Sequence, residues 1–199
     1  MSNKAETFKA IDGIVLNLEF KDIFEMESIE RLQKLFSDSF GISSLITDVH
    51  GKHITKTYNY CSLCSDIIRK TGKGIHDCGV MEKILSESHK DEPLFRECNN
   101  SGLWEAGIAI IVGNKHIGNW IIGQVQIDYK YDSQIRTVTN NLGVNQEEFT
   151  IALYDVPLMQ MDKFRNIANM LHFFLKEISD KAYQNLQLKQ YISDKEDLN

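Results

Sequence analysis

The fold is decided by residues 103–127, which read LWEAGIAIIVGNKHIGNWIIGQVQI. Two apolar runs, residues 103–112 and 116–127, flank the polar segment Gly113-Asn114-Lys115. Gly-Asn is a favoured pair in tight hairpin turns, because both residues tolerate a left-handed backbone. The stretch therefore predicts two long antiparallel strands joined by a short turn.

On both sides of this hairpin, apolar residues recur at helical spacing. The predicted elements are a helix over residues 29–40 with Ser28 as its N-cap and Gly41 as its stop, a hairpin over residues 42–56, helices over residues 58–70 and 75–89 split by a break at 71–74, and short helices over residues 132–141 and 145–153. Residues 14–20 alternate loosely and predict a lead-in strand. Antiparallel strands beside segregated helices predict an α+β fold, with a central antiparallel sheet and flanking helices.

A long C-terminal helix is predicted from Met161 onward. Its apolar residues are spaced 4, 3, 4, 3 and 4 apart, as in a heptad repeat: Phe164, Ala168, Leu171, Leu175, Ile178 and Ala182. A helix of roughly 30 residues would be about 45 Å long, longer than a small domain is wide. Two interpretations stay open, a terminal helix packed on its own domain and a coiled coil that joins two copies.

The composition excludes some classes of function. The chain has 199 residues, of which 42% are hydrophobic and 25% are charged, as is typical of a folded globular chain. Its 28 acidic residues outnumber its 22 basic residues, and the formal net charge of -6 gives no attraction for phosphate backbones. We therefore expect this segment not to bind nucleic acid.

The sequence also predicts a cytoplasmic location without a membrane partner. No apolar run approaches the roughly 20 residues that span a bilayer. The polar N-terminal residues lack the apolar stretch of a secretory signal. Because cysteines in a reducing cytosol are more often thiols, metal ligands or redox groups than structural disulfides, the spacing of the four cysteines becomes informative.

The cysteines follow the pattern Cys61-x2-Cys64-x13-Cys78-x19-Cys98. A Cys-x2-Cys pair can bring two thiolates to one metal ion, and tetrahedral zinc takes four such ligands. The last two cysteines do not form a second Cys-x2-Cys pair, so the pattern is not that of a zinc ribbon. Spacing alone leaves three alternatives open: a zinc or iron–sulfur site, a redox pair, and the packing of buried thiols.

Polar and aromatic residues interrupt the apolar hairpin at Trp104, Glu105, Asn119, Trp120 and Gln124. Ligand pockets combine aromatic walls with a few polar groups, which makes these residues candidates. The alternative is that Glu105 and Gln124 lie on the solvent-facing side of alternating strands. Without a Gly-x-Ser-x-Gly, a His-Glu-x-x-His or a phosphate-binding loop, the sequence predicts no enzymatic reaction.

Several stretches resemble the PocR sensory domain. They are residues 58–64 (YNYCSLC), 67–70 (IIRK), Cys78, residues 98–107 (CNNSGLWEAG) and residues 113–125 (GNKHIGNWIIGQV). The resemblance covers residues 24–183 and is closest to the subgroup found at the N-terminus of bacterial sensor histidine kinases. In that subgroup a Gly-Leu-Trp-Asp-Ala-Gly string is common, and here Glu105 replaces the aspartate.

The resemblance implies a variant of the PAS-like sensor fold that binds small molecules. Simple hydrocarbon derivatives such as diols are the ligands proposed for the family, whose members are fused to AraC-type regulators or to kinases. The resemblance also implies that the four cysteines surround one site. Some members carry a histidine directly after the last cysteine, but Asn99 stands there in this chain, so the role of that histidine is not carried over.

These observations divide the chain into a lead-in segment (residues 1–23), a PocR-like sensory domain (24–160) and a signalling helix (161–199). The main hypothesis is a non-catalytic domain that binds a small organic ligand and relays binding through a homodimer of its C-terminal helix. The predicted ligand contacts are Tyr60, Trp104, Glu105, Gly107, Trp120 and Gln124. The alternative is metal or redox sensing, in which Cys61, Cys64, Cys78 and Cys98 hold zinc, an iron–sulfur cluster or a disulfide switch.

Overall fold

Helices surround a four-stranded antiparallel sheet in the computed structural model, which describes residues 18–88 and 91–196. The elements in chain order are α1 (Phe20–Ile23), α2 (Met26–Phe40), β1 (Ser43–Thr47), a π-helical turn (Leu63–Ile67), a 3-10 turn (Ile68–Lys70), α3 (Gly72–Leu85), β2 (Leu94–Glu97), β3 (Trp104–Val112), β4 (Lys115–Val125), α4 (Asp132–Leu142), α5 (Gln146–Tyr154) and α6 (Met161–Glu196). The strand order is β1-β4-β3-β2. The predicted α+β class is confirmed.

The hairpin of β3 and β4 forms the centre of the sheet, as the sequence predicts. The strands pair antiparallel from Trp104 opposite Val125 to Val112 opposite Lys115. Gly113 has a φ of 59°, a left-handed conformation that favours glycine at the turn. β1 pairs with the outer edge of β4, and β2 pairs with the outer edge of β3 near its start.

One face of the sheet is covered by α6 and forms the main apolar core. The strand residues of this core alternate along their strands and include Ile46, Ile108, Ile110, Trp120, Ile122 and Val125. The first half of α6 supplies Phe164, Ala168, Leu171 and Leu175, all of them buried. The core is mainly apolar because both elements present their apolar face at their own period, two residues in the strands and close to 3.6 in the helix.

The heptad-spaced residues of α6 therefore pack on their own sheet, which agrees with the first of the two interpretations. Ile178 and Ala182 continue the stripe and lie partly buried against the same core. Other apolar residues of α6 stay exposed: Met170, Phe173, Phe174, Leu188, Tyr191 and Ile192. At 36 residues, α6 is about 54 Å long, longer than the prediction.

The helix before β1 begins one turn earlier than predicted. α2 starts at Met26, and the carboxylate of Glu25 caps it by accepting hydrogen bonds from the N–H groups of Glu27 (3.0 Å) and Ser28 (2.6 Å). Ser28 is therefore inside the first turn and is not the N-cap. The predicted stop is confirmed, since Gly41 is left-handed at a φ of 64°.

The helix predicted over residues 58–70 is wrong in its first half. Tyr58 exchanges two backbone hydrogen bonds with Ser44, of 2.9 and 3.0 Å, which hold this part of the chain extended beside β1. Asn59 then turns the chain with a φ of 46°. Only the π-helical and 3-10 turns are helical, because long-range pairing with β1 outweighs the local pattern.

α3 also begins earlier than predicted, because the break predicted at residues 71–74 is its first turn. The Thr71 hydroxyl caps the helix by accepting from the Gly74 N–H at 2.9 Å. A Cβ at Gly74 would come within 2.0 Å of the Ile68 carbonyl oxygen, so this glycine permits a close approach of two turns. α3 ends at Leu85, and His89, the predicted end, lies outside the described residues.

The segments before and after β1 and the strand β2 also differ from the sequence prediction. The segment after β1 returns beside it through isolated bridges, such as Thr47 with His53, and not as a continuous strand. β2 is an edge strand that the sequence does not predict. The lead-in strand predicted over residues 14–20 lies mostly outside the described residues, and its last residue, Phe20, begins α1. Within residues 18–88 and 91–196, no helix has the length and apolar character needed to span a bilayer.

Candidate ligand site

A β-bulge brings Glu105 and Gln124 to the same face of the sheet. Glu105 pairs with Gly123 and Trp104 pairs with Val125, which leaves Gln124 as an extra residue in β4. Gln124 has a φ of 54°, unusual for a residue with a side chain. Strained backbone and bulges are common beside functional sites. Without the extra residue, Gln124 would share the apolar face of Ile122.

The two side chains open into a small cavity between the sheet and α3. The cavity has a volume of about 20 Å³. The residues that line it are Tyr60, Cys64, Arg69, Cys78, Met81, Glu82, Cys98, Ser101, Leu103, Glu105 and Gln124. They come from five places in the chain: the two turns before α3, α3 itself, the turn before β3, β3 and β4. A cavity of this size holds about one water-sized group.

A partly buried network of charged and polar groups, with Glu82 at its buried centre, forms one wall of the cavity. Arg69 donates through Nη2 to the hydroxyl oxygen of Tyr60 at 2.9 Å and to Oε1 of Glu82. The Tyr60 hydroxyl donates to the same Glu82 oxygen at 3.2 Å, and His53 Nε2 lies 3.0 Å from the other. Burial alone would lower the pKa of Arg69, but Tyr60 and Glu82 outweigh it and raise that pKa.

One donor of this network has no partner among the described residues. The Nε atom of Arg69 is buried and makes no hydrogen bond. An unsatisfied buried donor costs about 1–3 kcal/mol, and more when the group is charged. The position therefore favours an additional acceptor, such as a ligand oxygen.

Glu105 is a half-buried carboxyl group on the wall of the cavity. Burial raises its pKa to about 7, the nearby carboxylate of Glu82 raises it further, and Arg69 lowers it in part. Near neutral pH, Glu105 can therefore donate a hydrogen bond as the acid or accept one as the carboxylate.

The four cysteines gather around this cavity. Cys64, Cys78 and Cys98 line it, and Cys61 lies in the same turn as Cys64, whose N–H donates to the Cys61 carbonyl oxygen at 3.1 Å. Burial raises the pKa of Cys78 to about 12 and raises that of Cys98. The hydrogen bond from Cys64 lowers the pKa of Cys61, and the same bond, with burial, raises the pKa of Cys64. All four are free thiols.

The described residues contain no group of three or more His, Cys, Asp or Glu side chains placed to hold a metal ion. The cysteines thus share one site without the close tetrahedral arrangement that a four-cysteine zinc centre needs. The prediction of zinc or an iron–sulfur cluster stays a prediction.

A wider groove lies beside the cavity. It has a volume of about 230 Å³ and lies between the turn of residues 98–102 and the helices α4 and α5. Cys98 and Ser101 line both spaces, so they separate the groove from the cavity. Lys130 bridges one end of the groove by donating to Glu97 at 2.7 Å. Ile135, Val138 and Phe149 give the groove apolar walls.

The structure brings three of the six predicted ligand contacts to the cavity, Tyr60, Glu105 and Gln124. Trp120 is fully buried on the opposite face of the sheet, where its indole N–H donates to the Ser44 hydroxyl at 2.7 Å. Trp104 packs against the same apolar core. Their aromatic character stood out in the sequence, but strand alternation places both away from Glu105.

Gly107 has a packing role beneath the end of α3. A Cβ at this position would lie 2.1 Å from the Leu85 carbonyl oxygen. The glycine therefore lets the last turn of α3 rest directly on β3, above the sheet face that carries Glu105.

Sequence reasoning missed Arg69 and Glu82, the charged pair of the site. A signal for Glu82 exists, because it follows Cys78 by four residues and so shares its face of α3. Arg69 carries no comparable local signal. Its position depends on how the turns of residues 63–70 fold against α3.

The site is connected to the start of α6 through the end of β4. The backbone N–H of Cys61 donates to Oε1 of Gln124 at 2.9 Å. Two residues later, Gln126 donates from its side chain to the carbonyl oxygens of Leu153 (2.8 Å) and Val156 (3.1 Å). Its backbone also bonds to the chain just before α6, at residues 157 and 159.

Comparison with known proteins agrees with the resemblance noted in the sequence. The family model described as "Sensory domain found in PocR" matches residues 22–183. The Regulatory protein PocR of Salmonella typhimurium is 22% identical over 103 residues. That match covers 51% of this chain and 33% of the length of the Salmonella protein. No solved structure matches the chain.

Proposed function

Because the chain belongs to the PocR sensory-domain family, we propose that it is a cytoplasmic sensory domain of a bacterial signal-transduction protein and binds a small organic ligand. The observation that carries the proposal is the polar cavity that shares Cys98 and Ser101 with a neighbouring groove, which has partly apolar walls. Such a combination of apolar walls and a few converging polar groups is typical of ligand sites. The domain itself is proposed to be non-catalytic.

The sizes of the two spaces restrict the ligand. The cavity of about 20 Å³ accepts one water-sized polar group, whereas the groove of about 230 Å³ has room for a small organic body. The ligand would place a hydroxyl or similar oxygen between Arg69 and Glu105. That oxygen would accept from the unpaired Arg69 Nε and would donate to, or accept from, the Glu105 carboxyl group.

Signal output would begin at Gln124. A ligand group beside Gln124 competes with or reinforces its hydrogen bond to Cys61, and Gln126 ties the same strand end to the C-terminus of α5 and the entry to α6. A ligand shifts the arrangement of α6 only if it binds two arrangements with different affinity. The proposed relay is therefore a small displacement of the β4 end that changes how α6 starts.

The binding proposal is tested by calorimetry and thermal unfolding with a panel of small diols, alcohols and carboxylic acids. We expect at least one compound to raise the unfolding temperature of the wild type. We expect Glu105→Gln and Gln124→Ala to weaken its binding about tenfold or more, since each lost buried hydrogen bond is worth roughly 1.5 kcal/mol. Glu27→Gln, an exposed carboxylate on α2, is the matched control and should leave binding unchanged. Binding that is insensitive to both site variants would contradict the proposed site.

A homodimer is proposed through the exposed apolar side chains of α6. Phe173 is 65% exposed and Leu188 is 58% exposed, although both are large and apolar. Contiguous exposed apolar surface commonly marks an interface, and a second copy is its simplest occupant because the same helix face would be buried on both. Light scattering after size exclusion should give a dimer for the wild type and a monomer for Phe173→Glu with Leu188→Glu. Lys176→Ala, at an exposed position on another side of the same helix, is the control. A monomeric wild type would contradict the dimer.

Metal sensing is a second candidate, favoured by the three cysteines that line one cavity. Ligation would need the thiols to close further around the ion than they do here. Elemental analysis of protein purified without air, together with its visible spectrum, separates zinc from an iron–sulfur cluster. About one zinc or one cluster per chain, lost in Cys64→Ser, would support this candidate. Metal-free protein with four titratable thiols would exclude it.

A further inference from the structure

Cys61 and Cys64 are placed as a pair within one turn of the chain. The N–H of Cys64 donates to the Cys61 carbonyl oxygen at 3.1 Å, and that of Ser65 donates to the same oxygen at 3.0 Å. Residues three apart in a helical turn have Cα atoms roughly 5 Å apart, within the range of about 4.4–6.8 Å that a disulfide needs. The backbone of this turn therefore brings the two cysteines close enough for a disulfide between them.

The two thiols differ in their exposure. Cys61 is partly exposed, whereas Cys64 is buried and lines the cavity. A reagent from solution therefore reaches Cys61 first, and Cys64 lies directly behind it. This is the arrangement of an attacking and a resolving cysteine.

We propose that Cys61 and Cys64 form a reversible dithiol–disulfide switch that regulates the cavity. The oxidant is a low-molecular-weight disulfide, RSSR. The thiolate of Cys61 attacks one sulfur of RSSR and releases RS⁻, which leaves a mixed disulfide on Cys61. Cys64 then loses its proton and attacks the Cys61 sulfur, releasing the second RS⁻. In total, two cysteine thiols and RSSR become one protein disulfide and two RSH.

The switch reaches the ligand site through Gln124. Closing a disulfide fixes the side chains of both cysteines and moves Cys64 away from the cavity wall that it lines. The Cys61 N–H holds the Gln124 side-chain oxygen at 2.9 Å, so any shift of this turn acts on Gln124 directly. The regulatory output thus rests on the proposed function, but disulfide formation does not.

The experiment equilibrates the whole chain in glutathione buffers of increasing oxidised fraction, alkylates the remaining thiols and maps the peptides by mass spectrometry. We expect a Cys61–Cys64 disulfide that appears with the oxidised fraction and disappears on re-reduction. Cys61→Ser should abolish this disulfide. No mixed disulfide should then form on Cys64, because Cys64 is shielded from solution. Cys78→Ser and Cys98→Ser are matched controls that should keep the Cys61–Cys64 disulfide.

Three results would overturn the switch. They are wild-type protein that stays fully reduced across the whole glutathione range, an oxidised form that joins Cys64 to Cys78 or Cys98, and a bound metal ion that protects both thiols. Each of these results is measured on wild-type protein, so a variant that fails to fold does not affect the conclusion. Ligand binding by the reduced protein is measured separately. Its loss would contradict the proposed function while leaving the disulfide result intact.

Discussion

The two faces of the central sheet are built from the same strands but differ in chemistry. The face covered by α6 is mainly apolar, with Ile108, Trp120 and Phe164 at its centre, and the Ser44 hydroxyl there accepts from the indole N–H of Trp120. The face covered by α3 carries Glu105 and Gln124 beside the ion pair of Arg69 and Glu82, of which Glu82 is buried. The first face gains free energy by removing apolar area from water, and the second retains buried polar groups that cost free energy unless they are paired.

The difference shows how one residue can convert a structural strand into part of a site. In β4, Trp120 and Ile122 alternate toward α6 until the bulge at Gln124, after which Val125 faces α6 instead. The bulge costs backbone strain at Gln124 but places two polar side chains together. We infer that stability resides mainly on the α6 face and function mainly on the α3 face.

The largest expected effect tests the stability of the α6 face. Phe164→Ala removes a fully buried ring from the core and should lower the free energy of unfolding by about 3–5 kcal/mol. Leu35→Ala, at an apolar position of α2 that is 56% exposed, is the control and should change it by less than about 0.5 kcal/mol. Urea denaturation measures the free energy of unfolding of both variants. Equal losses would contradict the assignment of stability to the core beneath α6.

The second-largest expected effect concerns the α3 face. Burying the Glu105 carboxyl group there costs free energy of folding, and this cost depends on pH. The pKa of Glu105 is about 7 in the folded protein and near its ordinary value of 4.5 when unfolded. The fold therefore favours the protonated acid, and its contribution is fully present below about pH 4.5 and is lost as the pH rises through about 7. The loss amounts to at most about 3 kcal/mol.

Glu105→Gln removes this titration without removing the side chain. The free energy of unfolding of the wild type, minus that of the variant, should fall by up to about 3 kcal/mol between about pH 4 and pH 8. Glu27→Gln, in an exposed position, should show no such trend. A pH-independent difference for Glu105→Gln would mean that folding does not raise the pKa of Glu105.

The smallest effect tests the contact between α3 and the sheet. Gly107→Ala places a Cβ 2.1 Å from the Leu85 carbonyl oxygen and should destabilise the protein by about 1–3 kcal/mol. Gly79→Ala, in an exposed part of α3 with no atom within 4 Å of the new Cβ, should instead stabilise it by roughly 0.5–1 kcal/mol. Thermal unfolding measures both changes in stability, including their signs. A neutral Gly107→Ala would show that α3 can shift off the sheet at little cost.

The sequence predicted the elements whose pattern is local and repeated. The β3–β4 hairpin, the helices after it and the stop at Gly41 were recognisable because each depends on neighbours a few residues away. The elements that failed depend on distant partners. Tyr58 is held extended by hydrogen bonds to Ser44 in β1, and β2 forms by pairing with β3. Neither of these pairings can be recognised from the local sequence pattern.

The candidate site was predictable only in part for the same reason. Glu105 and Gln124 stood out as polar residues in apolar strands, and the cysteines stood out by their spacing. The position of Arg69 and the packing of the two tryptophans were not predictable, because they depend on which element covers each face of the sheet.

By itself, the sequence determined an α+β chain with a central hairpin, a long C-terminal helix and a likeness to the PocR sensory family, because alternation, helical spacing and short motifs are properties of the chain. Only the tertiary structure decided that the heptad stripe packs on its own sheet and that three of the four cysteines line one cavity. It also decided that Gln124 faces Glu105. The sequence pattern shows which side chains lie on the same face of a helix or strand. The packing of the elements and a single β-bulge decide what that face contacts.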